Sequence, residues 1–186
     1  MHFRNTKFFC YINTYDSKFI TNLSKNTSII YRNYTNPIDE NLIIKIKRLC
    51  KKKGIGFYLS NNIKLAIKLN LDGAYIPSFN KDIFHNTFSK KKNFKLIGSA
   101  HNLKEIRDKE KQNVSHIFLS PLFLKNKNNK FLGLYKFLNL KKKTDKKIVC
   151  LGGINPNNIK LIKLLNIDGI AGIRLFNDEK FIKLWM

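Results

Sequence analysis

Two neighbouring apolar segments near the C-terminus end in glycine. LGGINPNN at 151–158 carries Gly152 and Gly153, and GIAGIRLF at 169–176 carries Gly172, Ile173 and Arg174. Glycine weakens a strand, so glycines at two strand ends need a reason. They let backbone N–H groups approach an anion closely, and a helix N-terminus adds positive potential. The two segments therefore suit a phosphate; the alternative is that Gly152 and Gly153 only permit a tight turn. Arg32 ends another apolar segment, TSIIYR at 27–32. A guanidinium at the end of a buried strand needs a partner, either a bound ligand or a structural ion pair. His101 follows a further segment. Histidine is the side chain suited to acid–base work near neutral pH; the alternative is that it starts a helix beside Asn102. His116 lies within an apolar run and reads as a core histidine with its hydrogen bonds satisfied.

These residues sit at the ends of short apolar runs, so the runs must position them. Strand candidates fall at 8–12, 27–32, 54–60, 73–77, 94–99, 115–121, 147–153 and 168–176. Helical patterns follow at about 16–24, 37–53, 61–70, 82–92, 102–111, 131–143 and 155–166, with a last segment at 178–186. The 37–53 pattern starts with Pro37 and acids and ends in bases, as helix termini prefer. Each strand is apolar nearly throughout, the pattern of parallel strands covered on both faces. Eight such units argue for a compact (β/α)8 TIM barrel, one domain over 1–186. A doubly wound open sheet is the alternative. In a barrel, functional groups gather where the strands end, and the loops after strands seven and eight bind phosphate in many cases.

Composition narrows the classes. Of 186 residues, 43% are hydrophobic and 12% aromatic, which excludes a disordered chain. No apolar run reaches the roughly 18 residues of a membrane helix. The N-terminal MHFRNTKFFCYINTYDSK has no long apolar core and no small-residue cleavage site, so a cytoplasmic protein without a signal peptide is expected. Cys10, Cys50 and Cys150 are far apart without metal-ligand spacing and read as reduced core thiols. The formal net charge is +24, from 36 basic residues of which 31 are Lys and five are Arg. Nucleic-acid readers lean on Arg for bidentate contacts, and no aromatic–basic interleaving is present. The basic runs also fall at expected helix C-termini, where cations suit the dipole. A solvated surface is the expectation and a nucleic-acid groove the alternative.

IVCLGGINPNNIKLIKLLNIDGIAGI at 148–173 resembles the C-terminal part of the thiamine phosphate synthase and TenI family, with its G-G-I-x-x-x-N stretch and closing G-[IV]-A segment. LNLDGAYIP at 69–77, KLIGSAHNLKEI at 95–106 and HIFLSPLF at 116–123 resemble further family segments in the same order, and IIYRNY at 29–34 sits where the family has Q-L-R-E-K. The resemblance implies a role in thiamine biosynthesis. Family synthases join a hydroxymethylpyrimidine diphosphate to a thiazole phosphate and expel diphosphate with Mg²⁺ assistance; TenI relatives act on the thiazole phosphate or have no settled role. It also implies that the thiazole phosphate lies on the strand-seven and strand-eight loops.

Carried over residue by residue, the resemblance implies Arg32, Ser99, His101 and Ser120 as substrate-contacting or catalytic candidates. Of the Q-x-R-x-K pattern only Arg32 remains, beside Ile30 and Tyr34. Ser120 stands near the position of the TenI base histidine, so that tautomerase chemistry is not directly supported. Asn61 and Asn62 take the place of the family's pocket residues after strand three. The two metal-binding aspartates become Asn61 and, after strand four, about Asn80. Mg²⁺ wants anionic oxygen ligands, and these ligands are not retained. The loop after strand six offers Lys125, Lys127 and Lys130, which can hold a diphosphate as point charges or simply be solvated. Two functions from different classes follow: a synthase-like transferase, or a non-catalytic binder of thiamine precursors.

Overall fold

Wholly apolar strands need cover on both faces, and a closed ring of parallel strands inside a ring of helices supplies it. The computed structural model, which describes residues 6–35, 37–124, 130–177 and 181, has this arrangement. Eight strands pair in chain order and close on themselves: β1 Lys7–Ile12, β2 Thr27–Tyr31, β3 Gly56–Ser60, β4 Gly73–Ile76, β5 Lys95–Ala100, β6 His116–Leu119, β7 Lys147–Leu151 and β8 Gly169–Gly172. All neighbours are parallel. Closure is made by β1, which pairs Cys10 with Ile29 on one side and with Gly172 on the other. The helices are α1 Ser17–Asn22, α2 Glu40–Lys53, α3 Ile63–Lys68, α4 Leu103–Lys111, α5 Gly133–Lys141 and α6 Ile159–Ile162. The (β/α)8 barrel expected from the sequence is therefore observed, and the open-sheet alternative is excluded by the β1–β8 pairing.

Alternation along each strand divides two cores. Outward residues pack under the helices; cysteines 10, 50 and 150 are free and buried. Inward residues fill the barrel: Phe9, Tyr11, Ile30, Tyr58, Tyr75, Ile97, Phe118, Val149 and Ala171. Their rings meet edge to face, with Phe9 and Phe118 centroids 4.9 Å apart and Tyr75 and Phe118 centroids 5.6 Å apart. Each such ring contributes about 1.5–3 kcal/mol by burial.

Two Asp-Gly pairs close equivalent corners. Asp72 Oδ2 accepts the Phe57 N–H at 2.9 Å, and Asp168 Oδ2 accepts the Ile148 N–H at 2.8 Å. Each carboxylate thus anchors the strand before it to the strand that follows it. α2 begins later than its proline predicts. Asp39 is the cap, accepting from Asn41 N and Leu42 N, and Gly54 ends the helix in the left-handed region at φ 72°. The helix expected at 82–92 is reduced to one 3-10 turn, Phe84–Thr87. Ile83 and Phe84 are exposed there, so no apolar stripe faces the barrel to hold a longer helix. The carbonyls of residues 77, 80 and 82 are instead held by Lys109 and Gln112.

Candidate functional site

Counting up the inward alternation from the inner core brings Arg32, Ser60, Ser99, Ser120, Leu151 and Ile173 to the C-terminal rim. The glycine-bearing ends of β7 and β8 are adjacent on this rim, with Leu151 paired to Ala171. They border a cavity of about 400 Å³ whose wall includes Leu151, Gly152, Gly153, Ala171, Gly172 and Ile173. Gly152 and Gly153 both have positive φ, 95° and 70°. The chain after β6 runs alongside and occupies carbonyls rather than amides: Leu122 N–H donates to Leu151 O at 2.9 Å and Phe123 N–H to Gly152 O at 3.1 Å. Among the described residues, the N–H groups of Gly152, Gly153 and Ile173 donate to no protein acceptor. Free amides on two adjacent strand ends around a cavity form a concave anion seat.

The asparagines of the NPNN stretch serve the loop. Asn158 Nδ2 donates to Gly153 O at 2.8 Å, and Asn155 Oδ1 accepts the Asn157 N–H at 2.9 Å. The helix that follows, α6, has four residues and continues as a 3-10 turn over Lys163–Leu165. The helix-dipole contribution expected there is therefore slight, and the seat depends on loop amides. Gly153 is also demanded by packing: a Cβ on it would lie 2.4 Å from the Phe123 carbonyl oxygen. A tight turn and an anion seat are thus both served by the same glycine. At Gly172 an added Cβ would lie 2.9 Å from Leu175 Cβ. Arg174 opens the 3-10 turn Arg174–Asn177. Its side chain, with Lys125 and Lys127, lies outside the described residues. Lys130 is exposed and is not part of the cavity wall.

The other half of the rim is polar. Arg32 is half-buried, with its guanidinium carbon 5.0 Å from the centre of the Tyr11 ring. A cation–π contact holds it on the rim, and neither ion pair among the described residues involves it. Tyr11 Oη is buried and meets no hydrogen-bond partner among the described residues. Burial raises the Tyr11 pKa well above its usual value, with Tyr75 adding to the shift and Arg32 opposing it. Ser60, missed as a rim group by motif reasoning, shares a 2.7 Å hydrogen bond with Tyr34. Alternation from Tyr58 was the signal that would have placed it. Ser99 and Ser120 are each 4% exposed. They share the rim with the cavity but are not part of its wall.

His101 is fixed at one ring nitrogen by the end of β6. Its Nδ1 lies 2.7 Å from Ser120 O and 3.1 Å from Ser120 Oγ. A carbonyl only accepts, so Nδ1 carries the proton, and Nε2 faces Ser78 Oγ at 3.2 Å. His101 therefore ties the β6 end to the β5 end through Nδ1, and the acid–base alternative would run through Nε2. The helix-start alternative is also realised: Asn102 Oδ1 accepts Glu105 N–H at 3.0 Å while Glu105 Oε2 accepts His101 N–H at 2.8 Å. Asn62 is likewise committed, capping α3 through the Leu65 N–H at 2.9 Å. His116 departs from its reading as a satisfied core histidine, because its Nε2 is buried without a partner among the described residues.

The two positions that replace the family's metal aspartates meet in space. Asn61, at φ 59°, accepts a 2.7 Å hydrogen bond from Asn80 Nδ2 through its Oδ1. Asn80 Oδ1 accepts the Asp82 N–H at 2.8 Å. Both amide oxygens are neutral and already hold a donor, and among the described residues no group of three His, Cys, Asp or Glu side chains gathers anywhere. A hard divalent cation is held by anionic oxygens, so these residues do not fit Mg²⁺.

Residues 22–176 match the profile of a family described as thiamine monophosphate synthase. Thiamine-phosphate synthase 1 of Streptococcus pneumoniae is 30% identical over 147 residues, covering 76% of this chain and 69% of that protein. A Prochlorococcus marinus thiamine-phosphate synthase is 33% identical over 141 residues, covering 73% of this chain and 40% of that one. Among solved structures, a thiamine phosphate pyrophosphorylase from Pyrococcus furiosus superposes with a TM-score of 0.76 at 17% identity, covering 96% of this chain and 91% of that chain. At that identity the superposition speaks for the fold.

Proposed function

The chain belongs to the thiamine monophosphate synthase family, and from that premise we propose that it seats a phosphorylated thiazole with the phosphate on the amides of Gly152, Gly153 and Ile173. The observation that carries this reading is the cavity of about 400 Å³ between the β7 and β8 ends, bordered by N–H groups with no protein acceptor. Leu151 and Ile173 on its wall offer an apolar bed for a ring. Arg32, Ser99 and Ser120 stand on the same rim, where a second substrate, a pyrimidine diphosphate, would meet the first. The coupling would form a bond from the thiazole nitrogen to the pyrimidine's methylene carbon and break that carbon's bond to the diphosphate oxygen, so that diphosphate leaves. The charge on that leaving group has to be offset by cations, and among the described residues Arg32 stands on this rim.

A second reading keeps the binding and drops the coupling. It is favoured by the Asn61–Asn80 pair, where neutral amides replace the groups that would hold a metal ion. Titration calorimetry with thiazole phosphate tests the shared part: saturable binding that Gly153→Ala weakens is expected, and its absence removes both readings. Adding hydroxymethylpyrimidine diphosphate, with and without Mg²⁺, then separates them. Formation of thiamine phosphate, detected as fluorescent thiochrome after oxidation, supports the transferase. Binding without product leaves the non-catalytic binder.

A further inference from the structure

The barrel has a second mouth. Counting down the same alternation, the residues turned toward the axis at the N-terminal ends of the strands include Lys7, Ser28, Gly56, Lys95, His116 and Lys147. Three of these six are lysines brought by three different strands. A cavity of about 610 Å³ opens among them, with Lys7, Ser28, Gly56, Tyr58 and Lys95 in its wall and Lys25, from the loop between α1 and β2, at its edge. Glycine at position 56 leaves the interior open: a Cβ there would lie 2.7 Å from Ser28 Oγ.

The cations at this mouth outnumber its carboxylates. Lys7, Lys25, Lys95 and Lys147 stand against Asp72, which is in the cavity wall and accepts the Phe57 N–H, and Asp168, which accepts the Ile148 N–H and partly offsets the charge on Lys7. Among the described residues the ion pairs are Lys68–Glu40 and Arg107–Glu110, and neither involves this mouth. His116 is 4% exposed, and its buried Nε2 has no partner among the described residues, while Ser115 Oγ meets its Nδ1 at 2.9 Å. Burial first, then the charges of Lys7 and Lys147, holds the His116 pKa down at about 4. The Lys7 pKa is itself lowered by burial and by repulsion from Lys95 and Lys147, with Asp168 opposing. The cluster is a set of like charges held together by the strand register, and an anion would relieve it.

We propose that the N-terminal mouth of the barrel is a second anion site, taking a small phosphate-bearing molecule on Lys7, Lys25 and Lys95, independent of the amide seat at the other mouth. The chemistry of the wall selects the ligand class. Ammonium groups, a Ser28 hydroxyl and the amides of Asn26 and Asn93 can donate to phosphate oxygens, and the carboxylate in the wall, Asp72, already accepts the Phe57 N–H. The convergence of the lysines on an axis suits a compact anion in a cavity. A nucleic-acid backbone would need cations spread along a track.

Titration calorimetry with inorganic pyrophosphate, at a salt concentration near the physiological ~0.15 M, tests this on the full chain and on two variants of equal net charge. Lys7→Gln/Lys95→Gln removes the mouth. Lys64→Gln/Lys136→Gln removes two exposed lysines on α3 and α5. The first variant is expected to lose at least tenfold in affinity at one site with an unchanged melting temperature, and the second to stay within twofold. Equal weakening in both would overturn the proposal, since it would show diffuse attraction by the +24 charge alone. A second readout uses the unmodified chain. The His116 ring protons are expected to shift in NMR spectra as pyrophosphate is added, because the anion offsets the neighbouring lysines. Ring signals unmoved at pyrophosphate saturation would overturn it equally.

Discussion

Replacing Gly153 with Ala probes the β7 end directly, and Gly54→Ala is its internal control. Both glycines have nearly the same left-handed backbone, φ 70° and φ 72°. Adding a Cβ in that region costs about 1–2 kcal/mol at either position. Their surroundings differ. An added Cβ at Gly54 meets nothing within 4 Å, whereas at Gly153 it lies 2.4 Å from the Phe123 carbonyl oxygen and 2.6 Å from its carbon. Real Cβ atoms do not approach backbone so closely, so Phe123 or the 152–153 turn must move. Overpacking of this kind adds about 1–3 kcal/mol. Urea unfolding followed by circular dichroism should therefore show Gly54→Ala losing about 1–2 kcal/mol and Gly153→Ala about 2–5 kcal/mol. The same displacement turns the Gly153 amide away from the cavity, so thiazole phosphate affinity falls at least tenfold in Gly153→Ala and stays unchanged in Gly54→Ala. Equal stability losses in the two variants would refute the packing argument. A stability loss at Gly153 with intact affinity would refute the amide seat.

Three further outcomes are expected. Lys109 is buried with Nζ 2.9 Å from Pro77 O, 2.7 Å from Asn80 O and 2.6 Å from Gln112 Oε1, and burial lowers its pKa to about 8. Between about 8 and its ordinary 10.5 the unfolded chain binds the extra proton, so this group makes stability rise with pH across that window; urea unfolding at pH 8 and pH 10 should show that rise shrinking in Lys109→Met, and an unchanged pH dependence would count against it. Asn61→Asp/Asn80→Asp places two carboxylates where a 2.7 Å hydrogen bond now stands, so the variant should melt lower than the parent without metal and recover with millimolar Mg²⁺, an effect absent from the parent. Asp168→Ala strands the Ile148 N–H that the carboxylate now accepts at 2.8 Å and should lower the unfolding free energy by about 1–3 kcal/mol, measured by the same urea transitions.

The order of strands and helices follows from the chain itself. Parallel strands covered on both faces must be apolar throughout, so runs such as FFCYI and KIVCL announce themselves, and eight of them alternating with helical patterns leave few closed arrangements. The glycines at 152, 153 and 172 were visible for a related reason: a positive φ or a close approach excludes other residues. Local pattern also misled where tertiary cover was lacking, as at 82–92, where no apolar stripe met the barrel. What the tertiary structure decided is which distant groups meet. Asn61 reaches Asn80 across 19 residues, His101 reaches Ser120 across another 19, and Lys109 reaches Pro77 across 32. Lys7, Lys95 and Lys147 face one axis only because the barrel closes in the observed register. Periodicity records which side of a strand is buried, since burial is set within a few residues. It carries no term for the separation between two loops, which depends on closure and on every register between them.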